Sequence, residues 1–352
     1  SSIWRGTFIL HSTLTRGIVF DSAAKMHDVC INDLLLQGPD RNNSLRGVLY
    51  RMRRHPFAVT ADVQNMFHQF AVPEEHRTYL RFFWYKDNDP DQEIVEYYAQ
   101  VHLQGLKSSP AIANLGIRLA ARKEPPLSGQ QWLEEDDLLD LDQSNRTRKP
   151  DEVEKLLARN FYVDDFLASA PTEEEALNII EEGVSRLKRY DLKLCKVQSN
   201  APLISAKYPP EDSPKTITFK AQDNSPTESS DSSSSLGLQW TISSDDFSSK
   251  TEFKHRPMTK RGLYGHVSAH FDPLGIAAPA ILECKLLQRE MAPPKGQDVH
   301  GWNAIDWDDP IPSLYEPQWK KIIKINQEAQ AIRLPRSYYP LNHGTPTHQQ
   351  LY

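Results

Sequence analysis

At 352 residues the chain is too long for one average domain and fits two or three packed units, and its 39% apolar and 25% charged residues allow a sizeable core. A formal net charge of -6 excludes whole-chain basicity as a sign of a polyanionic partner, so any such partner must be met by a local patch. No run approaches the roughly 18 apolar residues of a spanning helix, so no membrane partner is expected.

The chain opens Ser1-Ser2-Ile3-Trp4-Arg5, with neither an initiator Met nor a signal-peptide pattern. It is therefore expected to begin inside a reading frame and to stay within the cell, in the cytoplasm or nucleus. Cys30, Cys195 and Cys284 are far apart and form no C-x-x-C pair, so they read as reduced, buried thiols.

Residues 1–120 have a mixed α/β pattern. Phe57-Ala58-Val59-Thr60-Ala61-Asp62-Val63, behind Pro56, is a short apolar run that predicts a buried strand. Arg46, Arg51, Arg53, Arg54 and His55 cluster ahead of Asp62, with Arg77 and Arg81 after it. They can hold phosphates, though a generic charged surface has the same composition. Ser109-Pro110 opens a helix with Ser at N-cap and Pro at N1, and Ile112, Leu115 and Leu119 form its apolar face.

Residues 121–158 read as a polar insertion: Pro125-Pro126, then Glu134-Glu135-Asp136-Asp137, then a basic stretch from Arg146 to Lys149. Order resumes over 159–200. Phe161-Tyr162-Val163-Asp164-Asp165-Phe166-Leu167 is apolar on both sides of two acids, as two buried strands joined by a tight turn would be. Thr172-x-x-Glu175 is a capping box, and Ala176, Leu177, Ile180, Val184 and Leu187 follow at helical spacing. Leu192 to Val197 predicts the next strand, completing a split β-α-β unit. Residues 201–235 are poor in apolar side chains and end in a serine run, which predicts disorder. Residues 236 to about 290 read as another folded unit, and the remainder is rich in Pro and Trp, with a helix expected near Trp319 to Ala331.

Asp62 ends one apolar strand, and Asp164-Asp165 stand at a hairpin tip. Set side by side, three carboxylates repel unless a cation neutralises them, and hard oxygen ligands suit Mg²⁺ or Mn²⁺. Two such ions can activate an attacking 3′-hydroxyl and stabilise a leaving pyrophosphate. A plain turn and an unrelated strand-end acid would leave the same letters. Between the acid sites lies Leu103-Gln104-Gly105-Leu106-Lys107-Ser108-Ser109-Pro110. Gly105 permits close backbone approach and Gln104 offers an amide; a simple loop-to-helix junction is the alternative.

The ordered set of strand Asp, Gln-Gly-x-x-x-Ser-Pro, Tyr-Val-Asp-Asp, lysine strand and Leu236-Gly237-Leu238 resembles reverse transcriptases of LTR retroelements. Ile18 to Lys25, Asn32 to Pro39, Asn160 to Asp165 and Phe271 to Gly275 resemble the BEL/Pao branch. The resemblance implies an α+β right-hand polymerase fold of fingers, split β-α-β palm and thumb, followed by a connection segment. Fingers and the first half of the palm would occupy 1–120, the second half 159–200, and the primer-grip hairpin with thumb and connection 236–345. Residues 346–352 would begin a ribonuclease H domain whose activity is expected to be missing. The implied activity is an RNA- and DNA-directed DNA polymerase using two Mg²⁺ or Mn²⁺ ions, a primed RNA or DNA template and deoxynucleoside triphosphates.

By the same resemblance Asp62 and Asp164 are metal ligands and Asp165 the third acid. Phe67 would underlie the sugar, Gln104 and Gly105 would meet the incoming nucleotide, and Lys196 would face its pyrophosphate. Gly237 and Trp240 would lie in the primer-gripping hairpin; apart from the resemblance, Arg51, Arg53 and Arg54 of the basic cluster are the candidates to hold nucleic-acid phosphates. Phe67 as a core aromatic and Lys196 as a solvated lysine remain open readings. The sequence departs from the family at Gly17, where a basic residue that contacts the triphosphate is usual; Arg16, one position earlier and on the other face of a strand, is the candidate to bind the nucleotide in its place. That departure keeps a second function in play, a decayed or co-opted fragment that binds nucleic acid without catalysis. A metal-dependent nuclease explains neither Gln104-Gly105 nor the fingers pattern.

Overall fold

The computed structural model describes residues 20–124, 150–209, 232–235, 238–249, 255–268, 272–292, 298, 301–329 and 331–339. Helix α1 (Leu45–Met52), capped by the Ser44 hydroxyl accepting from the Gly47 amide, leads into strand β1 (Phe57–Val63). A hairpin of β2 (Arg81–Tyr85) and β3 (Ile94–Tyr98) follows, then α2 (Ser109–Ala120). Next come α3 (Glu152–Asn160), the short β4 (Phe161–Tyr162), β5 (Asp165–Ala170), α4 (Glu173–Lys188) and β6 (Leu194–Ser199).

The central sheet has the order β4-β5-β1-β6, with every neighbouring pair antiparallel. Strand β1 is almost wholly buried because both sheet faces are covered, which is why it reads as a continuous apolar run. Strand alternation divides its side chains. Val59 and Ala61, with Phe166 and Ala168 of β5, pack against Ala113, Ile117, Leu157, Ile180 and Leu187 of helices α2, α3 and α4. Ala58 and Leu167 point the other way, to Val48, Leu49 and Met52 of α1 and to Trp240 and Phe247. Asp62 and Asp165 share the parity of Ala58 and Leu167, so the acids stand on this second face.

Trp240 and Phe247 come from a hairpin of β8 (Leu238–Thr241) and β9 (Asp246–Ser249), after α5 (Pro202–Lys207) and β7 (Ser232–Ser235). Its sheet has the order β10-β9-β8-β7, closed by β10 (Leu334–Pro335). Between β9 and β10, helices α6 (Lys260–Ser268), α7 (Ala278–Glu290) and α8 (Glu316–Ala329) enclose a second core around Leu263, Cys284, Trp302 and Trp319. The three cysteines are free and buried. No helix among the described residues is long and apolar enough to cross a membrane.

Three expectations are corrected. The polar insertion does not run to 158: α3 begins at Glu152, capped by Asp151, and buries Leu157 under the sheet. Glu152 is exposed and Lys155 and Arg159 are half-buried, while Glu154 is buried; the acidic run 134–137 lies outside the described residues. The stretch 201–235 is not structureless at its ends, since 202–207 form α5 with Ile204 in the core and 232–235 pair with β8, while 210–231 lie outside the described residues. Ser109 is a helical residue and not the cap. Its hydroxyl donates inward to the Leu103 carbonyl at 2.9 Å, which places Pro110 one position later than expected.

Candidate active site

Strand β1 delivers Asp62 and the β4–β5 turn delivers the other two acids. Asp62 lies opposite Asp165 in the antiparallel β1–β5 register, so their side chains leave the sheet together. Asp164 precedes it in the turn, where Val163 takes a left-handed conformation (φ 57) and the Asp164 carbonyl accepts from the Val63 amide at 3.1 Å. A β-branched residue with positive φ is strained, and strain of this kind is held only where surrounding structure fixes it.

The electrostatics follow from this crowding. Burial first, then Asp164 and Asp62, push the Asp165 carboxyl up to about 7. Burial and Asp62 also raise Asp164 above the usual carboxylate range. Among the described residues the cation that meets the acids is Lys196, whose Nζ bonds Asp62 Oδ2 at 2.6 Å. Burial presses Lys196 downward, but the hydrogen bond and charge of Asp62, helped by Cys195 and Asp164, outweigh it and raise the ammonium above its ordinary value. Lys196 reaches Asp62 from a left-handed residue (φ 51) where the β1–β6 register shifts between Thr60 and Asp62.

The donor set suits a hard divalent cation, because like charges raise two of the three acids and one added positive charge would relieve both. As the site stands, Lys196 supplies part of that charge. Among the described residues no group of three or more His, Cys, Asp or Glu side chains stands ready to hold a metal ion.

The remaining expected residues separate into groups. Phe67 follows β1 on a 3₁₀ turn (Met66–Gln69) and packs partly against the main core, so its ring has the support of an ordinary core aromatic. Gln104 is exposed and Gly105 is left-handed (φ 94). A Cβ at Gly105 would lie 3.3 Å from Ser22 Oγ, so this loop presses against 20–22. Sequence reasoning missed Asn32, which pins the loop: its Nδ2 donates to the Gly105 carbonyl at 3.0 Å and its Oδ1 accepts from the Lys107 amide at 2.8 Å.

The expected nucleic-acid contacts are largely redirected. Arg53 is buried and donates to the carbonyls of Arg336 and Pro335, and Trp240 is fully buried with Nε1 donating to Asp245, so neither presents its side chain to a ligand. Arg51 is half-buried and bonds Asn160 Oδ1 at 2.9 Å and the Arg159 carbonyl. Arg54 remains exposed. Arg16 and Gly237 lie outside the described residues.

Residues 259–351 match the family described as Pao retrotransposon-like RNaseH-like domain. No curated protein matches the chain. A foamy viral protease-reverse transcriptase, in its dRH form with double-stranded DNA, is similar in structure at TM-score 0.51 and 14% identity, covering 91% of this chain and 43% of that one. Another foamy viral protease-reverse transcriptase structure, with an RNA/DNA hybrid, gives TM-score 0.48 and 15% identity, covering 88% of this chain and 32% of that one. The first likeness shows a fold related to a retroviral protease-reverse transcriptase, and the chain spans less than half the length of that protein.

Proposed function

We propose that this chain is the polymerase region of a retroelement polyprotein and copies an RNA or DNA template into DNA. The observation that carries the reading is the in-register pairing of Asp62 with Asp165 beside the strained turn that holds Asp164. In this reading the sheet β4-β5-β1-β6 is the palm and β2–β3 belongs to the fingers. Hairpin β8–β9 lies where the primer is gripped, and helices α6 to α8 belong to thumb and connection.

Asp62, Asp164 and Asp165 would hold two Mg²⁺ or Mn²⁺ ions. When bound, such ions lower the pKa of a primer 3′-hydroxyl and neutralise charge on the leaving pyrophosphate. The chain's own residues would do the rest. Phe67, rigid on its 3₁₀ turn, would set the floor under the sugar and crowd a 2′-hydroxyl. Gln104, exposed on a loop pinned by Asn32, would meet the incoming nucleotide. Lys196 would leave Asp62 and turn its ammonium to the triphosphate. Arg54 and, after a rotamer change, Arg51 would meet template or primer phosphates.

A second reading, nucleic-acid binding without catalysis, draws on the Lys196–Asp62 bond, which satisfies an acid that catalysis would require for a metal. Primer extension on poly(rA)/oligo(dT) with Mg²⁺ or Mn²⁺ separates the two. Extension by the parent and none by Asp164→Asn is the expected result. Duplex binding without extension by either would overturn the polymerase reading and leave the second.

A further inference from the structure

One side chain, distant in sequence, ties hairpin β8–β9 to the strand that carries Asp62. Arg336 follows β10 and is 0% exposed. Its Nε and Nη2 bond the two carboxylate oxygens of Asp245 at 2.6 and 2.8 Å. Nη1 donates to the carbonyls of Met52 at 2.6 Å and His55 at 2.9 Å, and Nη2 also donates to that of Pro56. All five N–H donors of the guanidinium are thereby used. Asp245 sits left-handed (φ 53) in the turn between β8 and β9, where its Oδ1 also accepts from Trp240 Nε1 at 2.9 Å. Met52, His55 and Pro56 form the segment that enters β1.

The backbone repeats the same connection. The Arg336 amide donates to the Asp245 carbonyl at 2.8 Å, and the Tyr338 amide to that of Arg53 at 2.9 Å. Arg53 in turn bonds the Arg336 carbonyl at 2.9 Å and lies 4.2 Å above the Tyr338 ring. A buried ion pair alone adds little net stability over an apolar replacement of equal size. Here the pair joins three segments remote in sequence, and breaking it takes the guanidinium from the Asp245 carboxylate, which keeps only Trp240 Nε1, and from the Met52 and His55 carbonyls. Such a group defines relative position more than it adds stability.

We infer that the Arg336–Asp245 clamp is a positioning device. It fixes hairpin β8–β9 over the sheet face that bears Asp62 and Asp165, so that a primer–template duplex resting on the hairpin meets the acids in register. The inference rests on the polymerase reading above for what the duplex does, but not for whether it binds. Arg336 lies within the stretch matched by the RNaseH-like family, so that stretch reaches back to the root of β1.

The test uses the full chain carrying Asp245→Asn or Arg336→Lys. The first keeps an acceptor for Trp240 but loses the charge, and the second keeps the charge but loses the planar fork. Hydrogen exchange and titration with a recessed DNA primer on an RNA template are measured on each. Amides in 238–249 and 53–57 are expected to exchange about tenfold faster, with those of 58–62 and 166–170 unchanged, and duplex Kd to rise about tenfold. If the parent extends primers, nucleotide KM stays within about twofold, since the acids keep their places. Unchanged hairpin exchange in both variants overturns the inference, as does faster hairpin exchange with duplex affinity intact. Protection lost evenly over the whole chain also overturns it, since it marks a purely structural role. Absence of extension by the parent would sink the polymerase reading, while exchange and duplex titration would still judge the clamp.

Discussion

Among the described carboxyls Asp165 is shifted far from the ordinary value, and the direction of the shift fixes a pH effect. Its folded pKa, about 7, lies above the ordinary value of 3.8, so the folded state holds the proton more tightly than the unfolded one. The stability this contributes is present below about pH 4 and is lost as pH rises to about 7. Asp165→Asn removes this dependence. In EDTA the variant should gain stability over the parent as pH rises from about 4 to about 7, as followed by Tm; added Mg²⁺ should narrow the gap by stabilising the parent more than the variant, which keeps Asp62 and Asp164. Equal pH profiles would contradict the crowding of the three acids. Gly105 gives a second residue-scale outcome. With φ 94 and Ser22 Oγ 3.3 Å from where a Cβ would sit, Gly105→Ala should cost about 1–2 kcal/mol in urea unfolding. The acids and Gly105 were legible in the sequence because chemistry and punctuation mark them. Asn32 was not, because one asparagine in a helical turn carries no sign of a partner some 70 residues away.

Secondary-structure elements show where local pattern sufficed and where packing decided. The β4–β5 hairpin, the Thr172 cap and the helix over Trp319 followed from alternation, capping and helical spacing, all of which are local. Helix α3 did not, because its apolar face is narrow and its flanks are charged; its place depends on Arg186 of α4. That guanidinium, 5% exposed, bonds Asp151 at 2.8 and 2.9 Å and Glu182 at 3.0 Å. Burial alone would raise Asp151, but the hydrogen bonds from Arg186 and the Glu154 amide hold it below the usual carboxylate range. Arg186→Met, which strands Asp151, should lower stability by about 3 kcal/mol in denaturant unfolding. A loss below about 0.5 kcal/mol would show that α3 does not rely on it. Helix α2 offers the complementary case of too little space. A Cβ at Gly116 would come within 2.0 Å of the Phe70 ring, so Gly116→Ala should destabilise by about 1–3 kcal/mol despite alanine's better helix propensity. A stabilised variant would mean that Phe70 has room to move.

At the scale of the molecule, the largest core among the described residues lies around the four-stranded sheet, and a separate one lies among the helices between β9 and β10. The fold of the first was legible because β1 and β5 are apolar runs, and a strand carrying Lys196 follows the capped helix behind them. The return of the C-terminal segment to the root of β1 was not, because a buried arginine with one acid and three carbonyl partners looks like any surface arginine in sequence. The same gap explains why Arg53 and Trp240 were expected to meet nucleic acid and are instead built into the interior. In the proposed polymerase reading, the acid face of the sheet directs templated DNA synthesis. The most direct test offers the chain one deoxynucleoside triphosphate at a time, with Mg²⁺, on a primed RNA of defined sequence. Addition of the complementary nucleotide alone, and none by Asp164→Asn, is the predicted result. Cleavage of the strand without addition, addition regardless of template, or equal addition by Asp164→Asn would contradict it.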